Sequence, residues 1–196
     1  MIGSVLGDAW IERGSFRFKQ SKEKKNYVWW MYNELKSLCR SYPRQGWNEQ
    51  VSFQTLMHPE IGKMRNLFYP EGRKRIPDEI IHVLKDPISL AIWFMDDGTL
   101  DYRVKDHYAF RIATYSFSKK ENELLAETLS KNFGVAATVQ QSKMRDKIYY
   151  RLHIGEEGRD KFVNIVAPYI HLHSCFEHKL PPREMIKLNP SETPPI

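Results

Sequence analysis

The chain of 196 residues is 41% hydrophobic and 13% aromatic, enough for one ordinary domain or two small lobes sharing a core, which excludes a disordered polypeptide. Thirty Lys and Arg against 24 Asp and Glu leave a formal charge of +6, a surplus that suits a polyanionic partner because these side chains displace counterions from phosphates. Cys39 and Cys175 define no disulfide framework, and there is neither a charged leader nor an apolar run of about 18 residues, so we expect an intracellular protein with no membrane partner, in cytoplasm or organelle.

The first nine residues, Met1 to Ala9, read as an apolar helix ending in Asp8 and a small residue. Ser15-Phe16-Arg17-Phe18-Lys19 alternates aromatic and polar residues, the pattern of a half-buried strand. A long helix is expected over 22–40, before Pro43-Arg44-Gln45-Gly46, and a second alternating strand at Gln50-Val51-Ser52-Phe53-Gln54. Pro59 suits the first turn of a helix that ends near Leu67-Phe68-Tyr69-Pro70, and a basic loop follows from Glu71 to Arg75. Asp86-Pro87 is an N-cap and first-turn pair for the second apolar helix, Leu90-Ala91-Ile92-Trp93-Phe94-Met95-Asp96-Asp97-Gly98. His107 to Ile112 alternates with Tyr108, Phe110 and Ile112 on one side. Ser118-Lys119-Lys120-Glu121 is a capping box for a helix closed at Gly134, two strands flank Met144 to Lys147, and a last helix is expected to stop at about Val166, ahead of Pro168.

The two halves share one order of elements. Leu67-Phe68-Tyr69-Pro70 answers Ile165-Val166-Ala167-Pro168, and Lys74-Arg75-Ile76-Pro77 answers Lys179-Leu180-Pro181. This predicts an α+β chain of two pseudo-twofold-related lobes meeting near the two apolar motif helices, with lobes at 1–85 and 86–181 and a proline-bearing tail at 182–196 (Pro182, Pro190, Pro194 and Pro195) acting as a strap or frayed end.

Asp8 and Asp97 are oddly placed for helix ends, because the C-terminal pole of the backbone dipole favours cations. If the two helices pack side by side, their carboxylates emerge together and repel unless protonated or bridged by a divalent ion. Hard oxygen ligands suit Mg²⁺, which keeps several waters and is completed by substrate phosphates. A separate His171, His173, Cys175 and His178 cluster matches no usual zinc spacing and reads as a polar helix.

Residues 1–9 and 90–98 resemble the two motifs of the single-chain LAGLIDADG homing endonucleases. Leu90, Ala91, Asp97 and Gly98 hold consensus letters in the second motif; the first keeps Gly3 and Asp8, with Val5 and Ala9 as departures. The resemblance implies αββαββα lobes packed through the two motif helices, with antiparallel sheets forming a DNA-binding saddle. It implies that Asp8 and Asp97 are catalytic, metal-binding acids, with Ala9 and Asp96 beside them in the candidate metal set, Asp96 as a structural residue or a contact behind the metal ligands. Lys74 and Lys179, each just before an Ile-Pro or Leu-Pro pair, fit the family's active-site lysines. The implied cofactor is Mg²⁺, with Mn²⁺ or Ca²⁺ able to substitute in binding, and the implied form is a monomer.

Where the apolar residues of each strand face the lobe core, the alternate ones face outward. That list is Ser15, Arg17, Lys19, Gln50, Ser52 and Gln54 in the first lobe. In the second it is Arg111 with His107 beside it, Thr138, Gln140, Ser142, Tyr149, Arg151 and His153. Arg reads guanine and Gln reads adenine in the major groove, so these residues are the candidate contacts to double-stranded DNA. Because the two lists differ, the site should be only partly palindromic. The expected function is site-specific, Mg²⁺-dependent double-strand cleavage, for which the family resemblance implies short 3′ overhangs, by a chain belonging to an intron, an intein or a free-standing gene. The alternative is a non-cleaving scaffold acting as a maturase on intron RNA or as a DNA-binding regulator.

Overall fold

Both halves of the computed structural model follow one order of elements, across described residues 1–103, 107–144 and 146–186. The first half runs α1 (Ile2–Leu6), β1 (Trp10–Glu12), β2 (Ser15–Ser21), α2 (Lys25–Leu35), β3 (Arg44–Gln45), β4 (Gln50–Gln54) and α3 (Pro59–Phe68). After a short helix α4 (Ile80–Val83), the second half repeats it as α5 (Pro87–Asp97), β5 (Gly98–Arg103), β6 (His107–Ile112), α6 (Lys119–Phe133), β7 (Thr138–Met144), β8 (Lys147–Ile154) and α7 (Glu156–Ile170). The strands form two four-stranded antiparallel sheets with the same plan, β1-β2-β4-β3 and β5-β6-β8-β7. The α+β class and the αββαββα order are as the sequence implies.

Each sheet has one apolar face, as strand alternation demands. In the first unit Phe16, Phe18 and Phe53 are buried, and Phe18 packs edge-on against Tyr27 of α2 with ring centroids 5.4 Å apart. The β1–β2 hairpin closes through Arg13 and Gly14, both at positive φ, the two-residue turn whose twist matches antiparallel strands. In the second unit an aromatic cluster ties three elements together. Phe94 of α5 lies 5.4 Å from Phe110 of β6 and 5.0 Å from Phe162 of α7, with no ring exposed. Such edge-to-face pairs contribute about 0.5–1.5 kcal/mol beyond their buried area.

Local signals set most boundaries. Ser118 accepts from the Glu121 amide while Glu121 accepts from the Ser118 amide, completing the expected capping box, and Gly134 closes α6 at φ +64. Asp86 stands at the N-cap of α5 with Pro87 following, but without a side-chain cap bond. The helix expected over 22–40 narrows to α2 between single 3₁₀ turns at Lys22–Lys24 and Lys36–Leu38. Arg44-Gln45 forms a two-residue strand because β4 supplies its partner. α7 passes through Pro168 to Ile170 instead of stopping at Val166, because a proline in the last turn forfeits only one hydrogen bond.

The chain divides into two compact units at Arg75 and Ile76, earlier than the 85/86 boundary expected. Residues 76–85 are held by the second unit itself: Asn132 Nδ2 donates to Ile81 O and Leu84 O, each at 2.7 Å, and Glu121 Oε1 accepts from the Ile76 amide at 3.0 Å. In the expected 182–196 tail, Arg183–Met185 forms a 3₁₀ turn; Pro190, Pro194 and Pro195 lie outside the described residues.

Thr114 and Asn122, both fully buried, form the polar knot of the second unit. Asn122 accepts from the Thr114 hydroxyl and donates to Ser118 O at 3.0 Å and Phe117 O at 3.2 Å. Asn122→Ala strands these buried groups and should lower the unfolding free energy by about 2–4 kcal/mol. The check is a urea unfolding curve, in which an unchanged midpoint would contradict the assignment.

Candidate functional site

The first motif helix is short, and the chain leaves it sharply. The Gly7 amide bonds to Gly3 O at 3.0 Å and the Ala9 amide reaches back to Ser4 O at 2.8 Å, so the backbone wraps around while Asp8 projects into solvent. Three side chains then define its surroundings. Gln20, at the end of β2 and only 7% exposed, donates from Nε2 to Asp8 Oδ2 at 2.6 Å. Lys24 donates to Gln20 Oε1 at 3.2 Å, which fixes the amide with its NH₂ toward the carboxylate. From the far end of the unit, Lys74 sets its ammonium on the two carbonyls flanking Asp8, Gly7 O at 2.8 Å and Ala9 O at 3.2 Å.

The second motif end is built on a longer helix. Asp97 is half-buried at its last residue, and its carbonyl accepts from the Ala113 amide at 3.0 Å, joining the helix end to the strand beyond. Lys179, 8% exposed, donates to Met95 O at 2.6 Å and Phe94 O at 3.3 Å. Its ammonium also lies 5.9 Å from the centre of the Phe94 ring and 5.5 Å from that of Phe176. Gly98 is required here by close approach, since a Cβ would meet Phe94 Cδ2 at 2.0 Å. Asp96 is half-buried one residue before the acid.

The two ends are alike in plan and different in detail. Arg17 pairs with Trp10 and Arg111 with Thr99, which puts Thr114 at the place of Gln20. Thr114 is buried and committed to Asn122, so the second unit offers no amide there. Lys74 touches carbonyls on either side of its acid, whereas Lys179 touches carbonyls before its own. The sequence reading missed Gln20 and Lys24. Gln20 sits in the buried phase of β2 with Phe16 and Phe18, and a polar side chain in an apolar phase is itself a signal that a partner is near.

The donor chemistry fits a hard divalent cation. The groups at each motif end are carboxylate and backbone carbonyl oxygens, and among the described residues no three His, Cys, Asp or Glu side chains gather as a metal cage. A site of one carboxylate completed by water and phosphate is the arrangement Mg²⁺ favours. The His/Cys segment forms no such group either. His171 Nδ1 lies 2.8 Å from Glu177 Oε1, and burial holds His173 below the usual histidine range.

The outward faces of the sheets carry the expected polar residues, with one exception. Ser15 is buried and its hydroxyl donates to Thr55 O at 2.6 Å, so it anchors β2 and is withdrawn from the surface. Arg17, Lys19, Ser52 and Gln54 line an open hollow of about 340 Å³, completed by Trp10, Tyr42 and Arg44. Gln50 lies farther along the same strand. On the second sheet Arg111, His153 and Thr138 lie in one row, Arg151 bonds to Gln140 at 3.3 Å, and Tyr149 pairs with Ser142 and packs edge-on against Tyr115. His107 is exposed at the far end of β6. His153 is held below the usual histidine range by burial first, then by the positive charges of Arg111 and Arg151.

Residues 1–162 match the family model of the LAGLIDADG DNA endonuclease family. The chain belongs to that family. The LAGLIDADG match takes in Asp8, Lys74 and Asp97 and ends before Lys179. A probable intron-encoded endonuclease of Wickerhamomyces canadensis is 28% identical over 186 residues, 87% of this chain and 78% of that one. The cytochrome b mRNA maturase bI2 of Debaryomyces hansenii is 25% identical over 187 residues, 87% of this chain and 68% of its own. Among solved structures, the homing endonuclease I-WcaI bound to its DNA recognition sequence shares the LAGLIDADG fold with a TM-score of 0.76 at 24% identity, over 92% of this chain and 83% of that one. A variant of I-DmoI, in complex with its target DNA in the presence of Mn, shares it with a TM-score of 0.51 at 18% identity, over 85% and 91% of the two chains.

Two measurements check this geometry. Lys179→Met leaves the carbonyls at the end of α5 without their cation and should lower the unfolding free energy by about 1–3 kcal/mol, with a smaller loss for Lys74→Met at its half-exposed site; equal stability of all three proteins would contradict the capping role. Because the folded pKa of His153 lies below 6.5, the unfolded chain takes up its proton first, and stability falls as pH drops through that window. An NMR titration should find His153 titrating below 6.5 and moving up in Arg111→Gln; an unmoved value would exclude the Arg111 contribution.

Proposed function

We propose that this chain is a site-specific DNA endonuclease that hydrolyses one phosphodiester in each strand of a long, partly asymmetric site, with Mg²⁺ as its working ion. The observation that carries the reading is the repeated motif end: an apolar helix, an acid at its terminus, and a remote lysine ammonium on the adjoining carbonyls, in a member of this family. Asp8 and Asp97 would each hold a divalent ion through a carboxylate oxygen, with Asp96 and Ala9 O close by. When bound, such an ion polarises the phosphate and lowers the pKa of an attacking water.

This chain's own residues do the rest. Gln20 fixes the Asp8 carboxylate through Oδ2, and Lys24 fixes Gln20, so the acid is oriented before substrate arrives. Lys74 and Lys179 keep positive charge at each motif end, where negative charge grows on a phosphate under attack. The polar sheet faces supply binding, with arginine and glutamine reading base edges and lysine meeting phosphates. The likeness to a maturase favours a second reading, RNA binding on the same scaffold without cleavage.

A plasmid library carrying a randomised target separates the two. The endonuclease reading predicts double-strand cuts at one recovered sequence with Mg²⁺, none with EDTA, and none with Asp8→Asn or Asp97→Asn. Gln20→Ala should slow cutting by up to about 10²-fold while binding persists, because only the orientation of Asp8 is lost. Specific binding without any cut would overturn the nuclease assignment and leave a non-cleaving maturase or DNA-binding regulator on the same scaffold.

A further inference from the structure

Arg17 and Arg111 occupy the same place in the two sheets. Each lies opposite the second residue after its motif acid, Trp10 for Arg17 and Thr99 for Arg111. Two residues farther along the same first strand stands a carboxylate, Glu12 in one hairpin and Asp101 in the other. Both arginines reach it: Arg17 Nη2 lies 2.9 Å from Glu12 Oε2, and Arg111 Nη2 pairs with Asp101 Oδ2. In both, Nε is buried without a hydrogen-bond partner among the described residues, while the side chain as a whole remains part-exposed. Around them the two faces diverge. Gln54 lies beside Arg17 where His153 lies beside Arg111, and Ser52 stands where the other sheet has Arg151.

An acid on a face meant for DNA is costly, because it repels phosphate and reduces the general attraction that the surplus of Lys and Arg supplies. Its repetition at matching positions therefore calls for a role other than affinity. A carboxylate on one Nη group fixes the azimuth of a planar fork that would otherwise sweep, and a fixed fork matches the O6 and N7 acceptors of guanine. Part-buried stems, with side chains 39% and 34% exposed, hold less freedom to lose on binding. An oriented fork can also grip a phosphate, but the acid beside each arginine repels that anion and leaves the uncharged base edge as the better partner.

We propose that Arg17–Glu12 and Arg111–Asp101 are paired guanine readers, one per lobe, in which the arginine contacts the base and the acid positions the arginine. The inference rests on the DNA-endonuclease reading and specifies two positions of its target. The site recovered from a randomised duplex library, selected for binding in Ca²⁺, should contain one guanine that depends on Arg17 and another that depends on Arg111. Arg17→Lys and Arg111→Lys keep the charge and should each lose about tenfold discrimination for guanine at one position only, with an unchanged salt slope. Glu12→Gln and Asp101→Asn should weaken the same guanine preference while raising affinity for unrelated DNA, two effects of opposite sign that a purely structural acid would not produce. Uniform weakening across all sequences, or acid variants that leave the guanine preference intact, would overturn the proposal. If the unaltered chain enriches no DNA sequence at all, the endonuclease reading fails and the inference with it; enrichment without arginine-dependent guanines sinks only the inference.

Discussion

The C-terminal end of each motif helix presents backbone carbonyls and an acid, and neither helix has a basic residue in its last turn. Both features raise the local negative potential, which a helix end tolerates poorly without a cation. In each unit the cation arrives from far along the chain, Lys74 to the first motif and Lys179 to the second. The lysine takes the carbonyls, and the acid is presented beside them. This division of labour stabilises an otherwise unfavourable helix end, and it requires the chain to return to the motif after its second pair of strands.

The same constraint explains where the units close. Leu180, the apolar residue just after Lys179, is buried, so that lysine is anchored by its neighbour as well as by its own hydrogen bonds. One more residue separates Lys74 from Pro77 than separates Lys179 from Pro181. The first ammonium meets carbonyls around the acid and the second meets carbonyls before it. The duplication preserves the kind of contact and lets its register slip. Gln20 and Thr114 show the same drift, one serving the acid and the other the core.

Much of the fold was legible because its signals are local. The alternation of Phe16 with Phe18, and of Tyr108 with Phe110 and Ile112, gives the strands and their buried faces. Ser118 with Glu121 and Gly134 gives both ends of α6. What escaped was set by partners remote in sequence. Arg44-Gln45 is a strand because β4 lies beside it, and the segment after Arg75 belongs to the second unit because Asn132 and Glu121 hold it. At the site, the acids and lysines stood out through repetition. Gln20 and Lys24 did not, since their meaning lies in a contact with Asp8 that spacing alone does not show. Ser15 looked outward by strand phase, yet Thr55 draws its hydroxyl in.

The central claim is that the two motif acids hold the reaction's metal while the lysines hold the helix ends. Crystals of the chain with its recovered DNA site and Mn²⁺ would test it most directly, through anomalous scattering. The account predicts manganese peaks in contact with the carboxylates of Asp8 and Asp97, with Lys74 and Lys179 still on their carbonyls. Manganese bound elsewhere, or lysines released from the helix ends to take the metal's place beside the acids, would contradict it.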